Sequence, residues 1–333
     1  MDPVTIGYLS AALLLLALAL GVPVAVAMGS IGVVGLLLGV GQNLTMAQLS
    51  SLPFAVVNNY DFGVLPMFVL MGVLAEASGV TQQLFNASNL WLRRLRGGLY
   101  HAVVVGSTIF AAISGSTIVN AVVFTRIAYP EMLRYGYSKS LSLGCIAATG
   151  SFAAMIPPSI TMVIYAIMTD QSVGRLLIAG IVPGVITAII YLIGISVMVR
   201  LRPSLAPSLS EPVSWAERWR ATAGVWPIVV LIALVLGGMY AGLFPASAAG
   251  AAGACGAFVF ALWKKKGLGR WLPPVLQDAA AISCVIFAIL IGGLLLSRML
   301  VAVGVIDHVV VMITSIASTP MRFMILVSLL YLL

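Results

Sequence analysis

The chain has 333 residues, of which 62% are apolar and 8% charged, against about 45–50% and about 25% in soluble domains. So few polar side chains cannot cover a water-facing surface, and so much apolar area excludes disorder. The excess of 17 Lys and Arg over 9 Asp and Glu therefore marks the topology of an integral membrane protein and not a nucleic-acid footprint.

Residues 3–60 contain no Asp, Glu, Lys or Arg. Their apolar part, residues 4–40, would be about 55 Å long as one helix, nearly twice a hydrocarbon core of about 30 Å. Two elements are therefore expected, broken at Gly21-Val22-Pro23. The Leu-rich opening lacks a basic n-region and a clear cleavage site, so it reads as a retained span and not a signal peptide. A polar stretch, 41–51, leads to a third span at 53–75.

Arg93, Arg94 and Arg96 form the first basic cluster, and 29 uncharged residues, 97–125, separate it from Arg126, Arg134 and Lys139. Residues 140–169 are uncharged and carry Pro157-Pro158; 176–199 is a plain span closed by Arg200 and Arg202. A connector with Pro203, Pro207 and Pro212 follows, then the amphipathic segment 215–220. The 43 uncharged residues 221–263 exceed one crossing and divide at Ala241-Gly242-Leu243-Phe244-Pro245. Lys264, Lys265, Lys266 and Arg270 close that pair as a topology and lipid-headgroup cluster. A further span covers 279–296, Asp307-His308 is expected in a short outer loop, and a last apolar run begins near Thr319. Cys145, Cys255 and Cys284 sit in apolar runs as small packing residues, with no disulfide or metal pattern.

Orientation tests these spans. If residues 97–126 enter the membrane and return on the same side, the groups Arg93, Arg94, Arg96; Arg126, Arg134, Lys139; Arg200, Arg202, Arg218, Arg220; and Lys264, Lys265, Lys266, Arg270 all share one side, 14 of the 17 basic residues. A simple crossing would split them. The charge bias thus predicts a re-entrant hairpin, with a periplasmic N-terminus.

The middle of that hairpin reads Ser114-Gly115-Ser116-Thr117-Ile118-Val119-Asn120. A hydroxyl-rich turn at membrane depth is costly unless it faces protein or water. It is either an ion or substrate site or a small-residue helix contact. The run Thr149-Gly150-Ser151 through Pro157-Pro158-Ser159 is a second break, whose carbonyls are released from helix bonding. Pro-kinked helices also occur without binding roles. A hairpin tip beside an unwound helix is a recurrent plan for coupled transport.

The stretch from Arg96-Gly97-Gly98 through Ser114-Gly115-Ser116 and Pro130-Glu131-Met132-Leu133-Arg134-Tyr135-Gly136-Tyr137 resembles the large membrane (permease) subunit, DctM-like, of tripartite ATP-independent periplasmic (TRAP) transporters. So do Ile156-Pro157-Pro158-Ser159, Asp170-Gln171-Ser172-Val173-Gly174 and Ala179-Gly180-Ile181-Val182-Pro183-Gly184. The resemblance implies an all-α polytopic membrane protein, an inverted-repeat elevator-type secondary transporter with re-entrant hairpins. Implied function is Na⁺-coupled import of organic acids, C4-dicarboxylates or acidic sugars, across a bacterial or archaeal inner membrane. Implied partners are a small membrane subunit (DctQ-like), a periplasmic solute-binding protein (DctP-like), a carboxylate substrate and the lipid bilayer. Na⁺ is the coupling ion and no other cofactor is implied.

By the same resemblance Ser114, Gly115, Ser116 and Asn120 form the hairpin tip, and Thr149, Gly150, Pro157, Pro158 and Ser159 the broken helix; together they enclose Na⁺. Ser116, Asn120 and Arg126 are the substrate-contact candidates. The implied division is N-terminal scaffold spans at 1–92 and a first repeat at 93–202, with its hairpin at 98–130, broken helix at 140–169 and span at 176–200. A cytoplasmic connector at 203–223 and an incomplete second repeat at 224–333 follow. Where the family has a Thr-Pro-Thr-Glu turn, this chain has Pro245-Ala246-Ser247-Ala248. The second hairpin and break do not appear, so the chain reads as C-terminally truncated.

Other candidates rank lower. His101 and His308 lack a metal-ligand cluster. Arg126 at membrane depth costs at least about 2.5–3.5 kcal/mol; it pairs with a substrate carboxylate or, preferably, snorkels or pairs with Glu131. Arg298 poses the same choice. An intramembrane serine protease using Ser114 or Ser116 needs a base, and the nearest histidine in sequence is His101. A channel, or a sodium-coupled carrier working without a binding protein, is the remaining alternative.

Overall fold

A backbone surrounded by hydrocarbon must satisfy its own N–H and C=O groups, which a helix does within one segment. The computed structural model describes residues 2–207, 213–265, 267, 269–316 and 319–332, so Pro212 and Lys266 lie outside the described residues, within which no strand occurs.

In chain order, α1 (Pro3–Ala19), α2 (Val24–Gly39) and α3 (Gln42–Val57) precede a 3-10 turn at Tyr60–Gly63 and α4 (Val64–Ala77). Then come α5 (Val80–Leu92), α6 (Gly98–Ser114), α7 (Thr117–Arg134), α8 (Lys139–Gly150), a 3-10 turn at Ser151–Ala154, α9 (Ile160–Met168) and α10 (Val173–Leu201). After a turn at Pro203–Leu205 follow α11 (Trp215–Ala223), α12 (Trp226–Ile232), a π-helical stretch at Ala233–Gly237, α13 (Gly238–Tyr240), α14 (Ala246–Lys265), α15 (Leu272–Ala302), α16 (Val305–Ile316) and α17 (Pro320–Leu332). Among the described residues four helices are long and apolar enough to cross a membrane: Tyr60–Ala77, Val173–Leu201, Ala246–Lys265 and Leu272–Ala302. Trp215–Ala223 with Trp226–Tyr240, bent by 43°, makes a fifth if counted as one span.

Several boundaries differ from the sequence expectation. The polar stretch 41–51 is helical from Gln42 onward, and the span expected at 53–75 does not exist as one helix. Residues Gln42–Val57 form α3, which carries Pro53 internally and buries Thr45, Leu52 and Val56 on one face. The break comes at Asn58-Asn59, residues whose side chains compete for backbone hydrogen bonds and favour helix ends. The expected span at 279–296 lies within the 31 residues of α15. Asp307 and His308 are not in a loop: Gly304, at φ 74, ends the preceding helix, and both residues lie in the first turns of α16, where an acid suits the helix dipole. Cys145 is buried as expected of a packing residue, but Cys255 and Cys284 are exposed.

By contact the chain forms two compact units, Met1–Asn59 with Cys284–Leu333, and Tyr60–Ser283. This grouping is not the linear division at residues 92, 202 and 223, because α4 packs most extensively on α14 and α5 on α6. In the first unit small residues admit close helix approach. A Cβ on Gly32 would lie 2.8 Å from Leu296 N, and one on Gly29 3.7 Å from Gly292 Cα. Arg298 is hydrogen-bonded to Gln48 Oε1, which answers the question its position in an apolar run posed.

In the second unit α6 is the central element. Leu99, Tyr100, Val103, Val104 and Phe110 have no exposed surface. Phe124 of α7 meets Phe110 and Phe85 with ring centroids 6.1 and 6.4 Å apart. Against α4, α14 presents Ala249, Gly250, Gly253, Ala254, Ala257 and Ala261, all buried. A Cβ on Gly250 would reach Val64 O at 3.1 Å. The amphipathic segment is α11, started by a capping box between Ser214 and Glu217. Its Trp215 and Trp219 meet Trp91 of α5 edge-on, with centroids 5.9 and 5.7 Å away.

Candidate functional site

The hairpin turn is two residues long, and each suits its place. Gly115 ends α6 in the left-handed region at φ 58, which costs a side-chain-bearing residue about 1–2 kcal/mol. Ser116 then caps α7, its Oγ accepting from Val119 N–H at 3.4 Å. The arms touch each other, Ser107 with Asn120 and Phe110 with Phe124.

The second break begins where α8 ends at Gly150. Ser159 restarts the helix as the cap of α9, accepting from Met162 N–H at 3.3 Å and donating to Ala154 O at 2.7 Å. Pro157, Pro158 and Ser159 are all buried. Glycines on α10 make room for this irregular backbone: a Cβ on Gly180 would collide with Met155 O, and one on Gly184 would lie 2.8 Å from Ile156 Cγ1.

The tip and the break meet. Ile160 N–H donates to Gly115 O at 3.1 Å, and a Cβ on Gly115 would stand 2.6 Å from Pro158 O. Gly72 of α4 closes the other side, where an added Cβ would lie 2.9 Å from Ser114 Cα. Ser114 is fully buried, and its Oγ has no hydrogen-bond partner among the described residues. An unpaired buried hydroxyl costs about 1–3 kcal/mol.

A second polar layer surrounds Ser107. Its Oγ lies 3.0 Å from both Asn120 Oδ1 and Thr149 O, and Asn120 Nδ2–H donates to Ser107 O at 3.2 Å. Asn120 and Thr149 are fully buried, and Thr149 Oγ1 donates to Ile146 O at 3.1 Å. A Cβ on Gly150 would lie 2.9 Å from Ala121 Cβ. This layer ties both hairpin arms to the end of α8. Ser107→Ala is expected to lower stability by about 1–3 kcal/mol, because Asn120 loses a buried partner; thermal unfolding of the purified protein measures it.

The structure thus brings Ser114, Gly115 and Ser116 to Pro157, Pro158 and Ser159, with Asn120, Thr149 and Gly150 around Ser107. Arg126 is elsewhere. Ten residues past Ser116, it lies about 15 Å further along α7. Its side chain is 71% exposed and pairs with Glu76 at 3.6 Å; Glu131, the partner offered beside snorkelling, is not the one it meets. Glu131 Oε1 instead accepts from Asn89 Nδ2–H at 3.4 Å. Arg126, Glu76 and Asp278 share a cavity of about 200 Å³ beside the outer arm of the hairpin.

Gly72, Ser107 and Glu76 were not singled out from sequence, and Gly180 and Gly184 stood there only within a family motif, with no site role. Of these only Ser107, a hydroxyl inside an apolar hairpin arm, carried a usable signal. The structure keeps His101, the base named for the protease alternative, away from Ser114. His101 stands at the other end of the unbroken α6, 13 residues from Ser114, or about 20 Å. Its ring nitrogens contact Gly97 O at 2.9 Å and Ser196 Oγ at 2.8 Å.

What the arrangement offers is a set of neutral oxygens at a buried junction of two interrupted helices. Hydroxyls and carbonyls of this kind suit a hard monovalent cation.

Residues 11–333 match the family described as Tripartite ATP-independent periplasmic transporter, DctM component. The chain is 30% identical over 278 residues to the C4-dicarboxylate TRAP transporter large permease protein DctM of Pseudomonas aeruginosa, covering 83% of this chain and 64% of that one. It is 28% identical over 335 residues to the protein of the same name from Vibrio cholerae, covering 94% and 73%. With the ectoine TRAP transporter large permease protein TeaC of Halomonas elongata it shares 33% identity over 242 residues, covering 71% and 54%. The chain therefore spans between about half and three quarters of the length of these relatives. A match over almost its whole length, on an all-helical frame with two apposed helix breaks, means that the chain belongs to the DctM component family of tripartite ATP-independent periplasmic transporters.

Proposed function

We propose that the chain belongs to the large permease of a Na⁺-driven importer of small organic acids in a bacterial or archaeal inner membrane. The observation that carries this reading is the docking of Gly115 O on Ile160 N–H beside the orphaned Ser114 hydroxyl. Ser114, Gly115, Ser116 and the backbone around Pro157, Pro158 and Ser159 supply the oxygens for Na⁺. The Ser107–Asn120–Thr149 layer holds the two breaks in register.

Ion binding would clamp the tip to the break, and the clamped unit would then move with its substrate as an elevator. The relatives' names supply the substrate class, C4-dicarboxylates first and zwitterionic ectoine second. The family supplies the partners, a small membrane subunit and a periplasmic binding protein that delivers the solute. Arg126, held by Glu76, is not assigned to substrate. Ser116 and Asn120 flank the ion.

The test is uptake of labelled succinate and ectoine by the complete transporter in proteoliposomes, with its binding protein, with and without an inward Na⁺ gradient. Uptake that rises several-fold with the gradient is expected. Uptake indifferent to Na⁺ would refute the coupling, and uptake unchanged when the binding protein is omitted would refute the tripartite mechanism.

A further inference from the structure

A second cavity, of about 410 Å³, opens where the loop between α5 and α6 meets the end of α10. Its walls are Arg94, Leu95, Arg96, His101, Ser196 and Arg200. Three arginines thus line one space that no acidic residue lines. Among the described residues no ion pair joins any of the three to an acid. Like charges gathered this way repel unless an anion lies between them.

The convergence is built by the fold. Ser196 and Arg200 lie four residues apart on α10, so they share one face. His101 Nε2 lies 2.8 Å from Ser196 Oγ, and its Nδ1 lies 2.9 Å from Gly97 O. Ser196 Oγ also donates to Leu192 O at 2.7 Å. Gly97, at φ 72, lets the loop approach so closely that an added Cβ would stand 3.0 Å from Val199 Cγ2. The first turn of α6 is therefore fastened to α10, which keeps Arg94 and Arg96 opposite Arg200.

Planar guanidinium forks match phosphate oxygens in bidentate geometry. The surroundings have a second property: Leu95 of the cavity wall is exposed, as are Val197 and Leu201, next in sequence to Ser196 and Arg200. Apolar surface next to a cationic cavity fits a ligand with a phosphate head and hydrocarbon tails. These arginines also belong to the set that the charge bias places on the cytoplasmic side, the leaflet face where anionic lipid is met.

We propose that this cavity is a binding site for a phosphate group, supplied by an anionic phospholipid headgroup whose acyl chains lie along Leu95, Val197 and Leu201. The site is separate from the junction of hairpin and broken helix, and it does not depend on Na⁺ coupling.

The experiment uses the purified complete transporter in neutral detergent. Bound lipid is counted by native mass spectrometry after titration with phosphatidylglycerol or phosphatidylcholine, and inorganic phosphate is titrated as a competitor. Phosphatidylglycerol is expected to bind at least tenfold more tightly than phosphatidylcholine. Each Arg→Gln change at Arg94, Arg96 or Arg200 should weaken it about fivefold, and the triple variant on the order of a hundredfold. The triple Arg→Lys variant should retain much of the affinity, and Lys139→Gln, an exposed charge outside the cavity, all of it.

Equal binding of the two lipids would overturn the proposal. So would loss in Lys139→Gln as large as in a cavity variant, since net charge and not the site would then govern binding. Displacement of phosphatidylglycerol by millimolar inorganic phosphate would keep the phosphate site and overturn its lipid source.

Discussion

Gly115→Ala is expected to raise the Na⁺ concentration for half-maximal uptake by at least tenfold, while the amount of folded transporter in the membrane stays within a factor of two. The residue sits at φ 58, where alanine is strained by about 1–2 kcal/mol. A methyl group there would also stand 2.6 Å from Pro158 O, closer than any carbon and oxygen rest. Relief requires the tip to move off the break, which stretches the Ile160 N–H to Gly115 O bond. Displacements near 1 Å in a positioned site cost about a hundredfold.

Gly136→Ala separates the two causes. Gly136 is also left-handed, at φ 74, but the nearest atom to an added Cβ is Pro207 Cγ at 4.0 Å. It should show the backbone strain as a small loss of thermal stability and leave the Na⁺ dependence unchanged. If both variants behave alike, contact between tip and break plays no part in coupling.

The features legible from sequence were those written into consecutive residues. Ser-Gly-Ser announces a turn because glycine tolerates φ > 0 and serine caps the helix that follows. Pro157-Pro158 announces a break because two backbone donors are missing. What lies opposite those breaks was not legible. Gly72 looks like any small residue in an apolar helix until α4 is seen against Ser114, and Ser107 gains its meaning from Thr149, 42 residues away.

The partner of Arg126 was hidden for the same reason. Glu131 is near in sequence, but five residues on a helix turn the side chain about 140° away from the arginine, outside the i+3 and i+4 positions that meet. Glu76, 50 residues earlier, comes from another helix. Pro53 misled in the opposite direction. A proline reads as the opening of a span, whereas α3 carries it internally and ends four residues later at Val57. Local chemistry marks where chains can break; packing decides which breaks are used and what faces them.

Ser114→Ala gives the sharpest separation between an ion site and a packing contact, because the two predict opposite patterns of stability. If the Ser114 hydroxyl is a Na⁺ ligand, it is unpaired in the ion-free protein, where burying it costs about 1–3 kcal/mol. Alanine removes that cost, so the variant should melt at a higher temperature than the parent in choline buffer. With Na⁺ the order should reverse. A ligand that binds only the folded state stabilises it by about 2.7 kcal/mol at a hundred times its Kd, and the variant forfeits most of this by losing an oxygen. The melting curves of parent and variant, measured across a Na⁺ series, should therefore cross. A hydroxyl that merely fills space predicts parallel curves, displaced by the same amount at every Na⁺ concentration. Parallel curves would remove Ser114 from the ion site and leave the tip to act through its backbone oxygens alone.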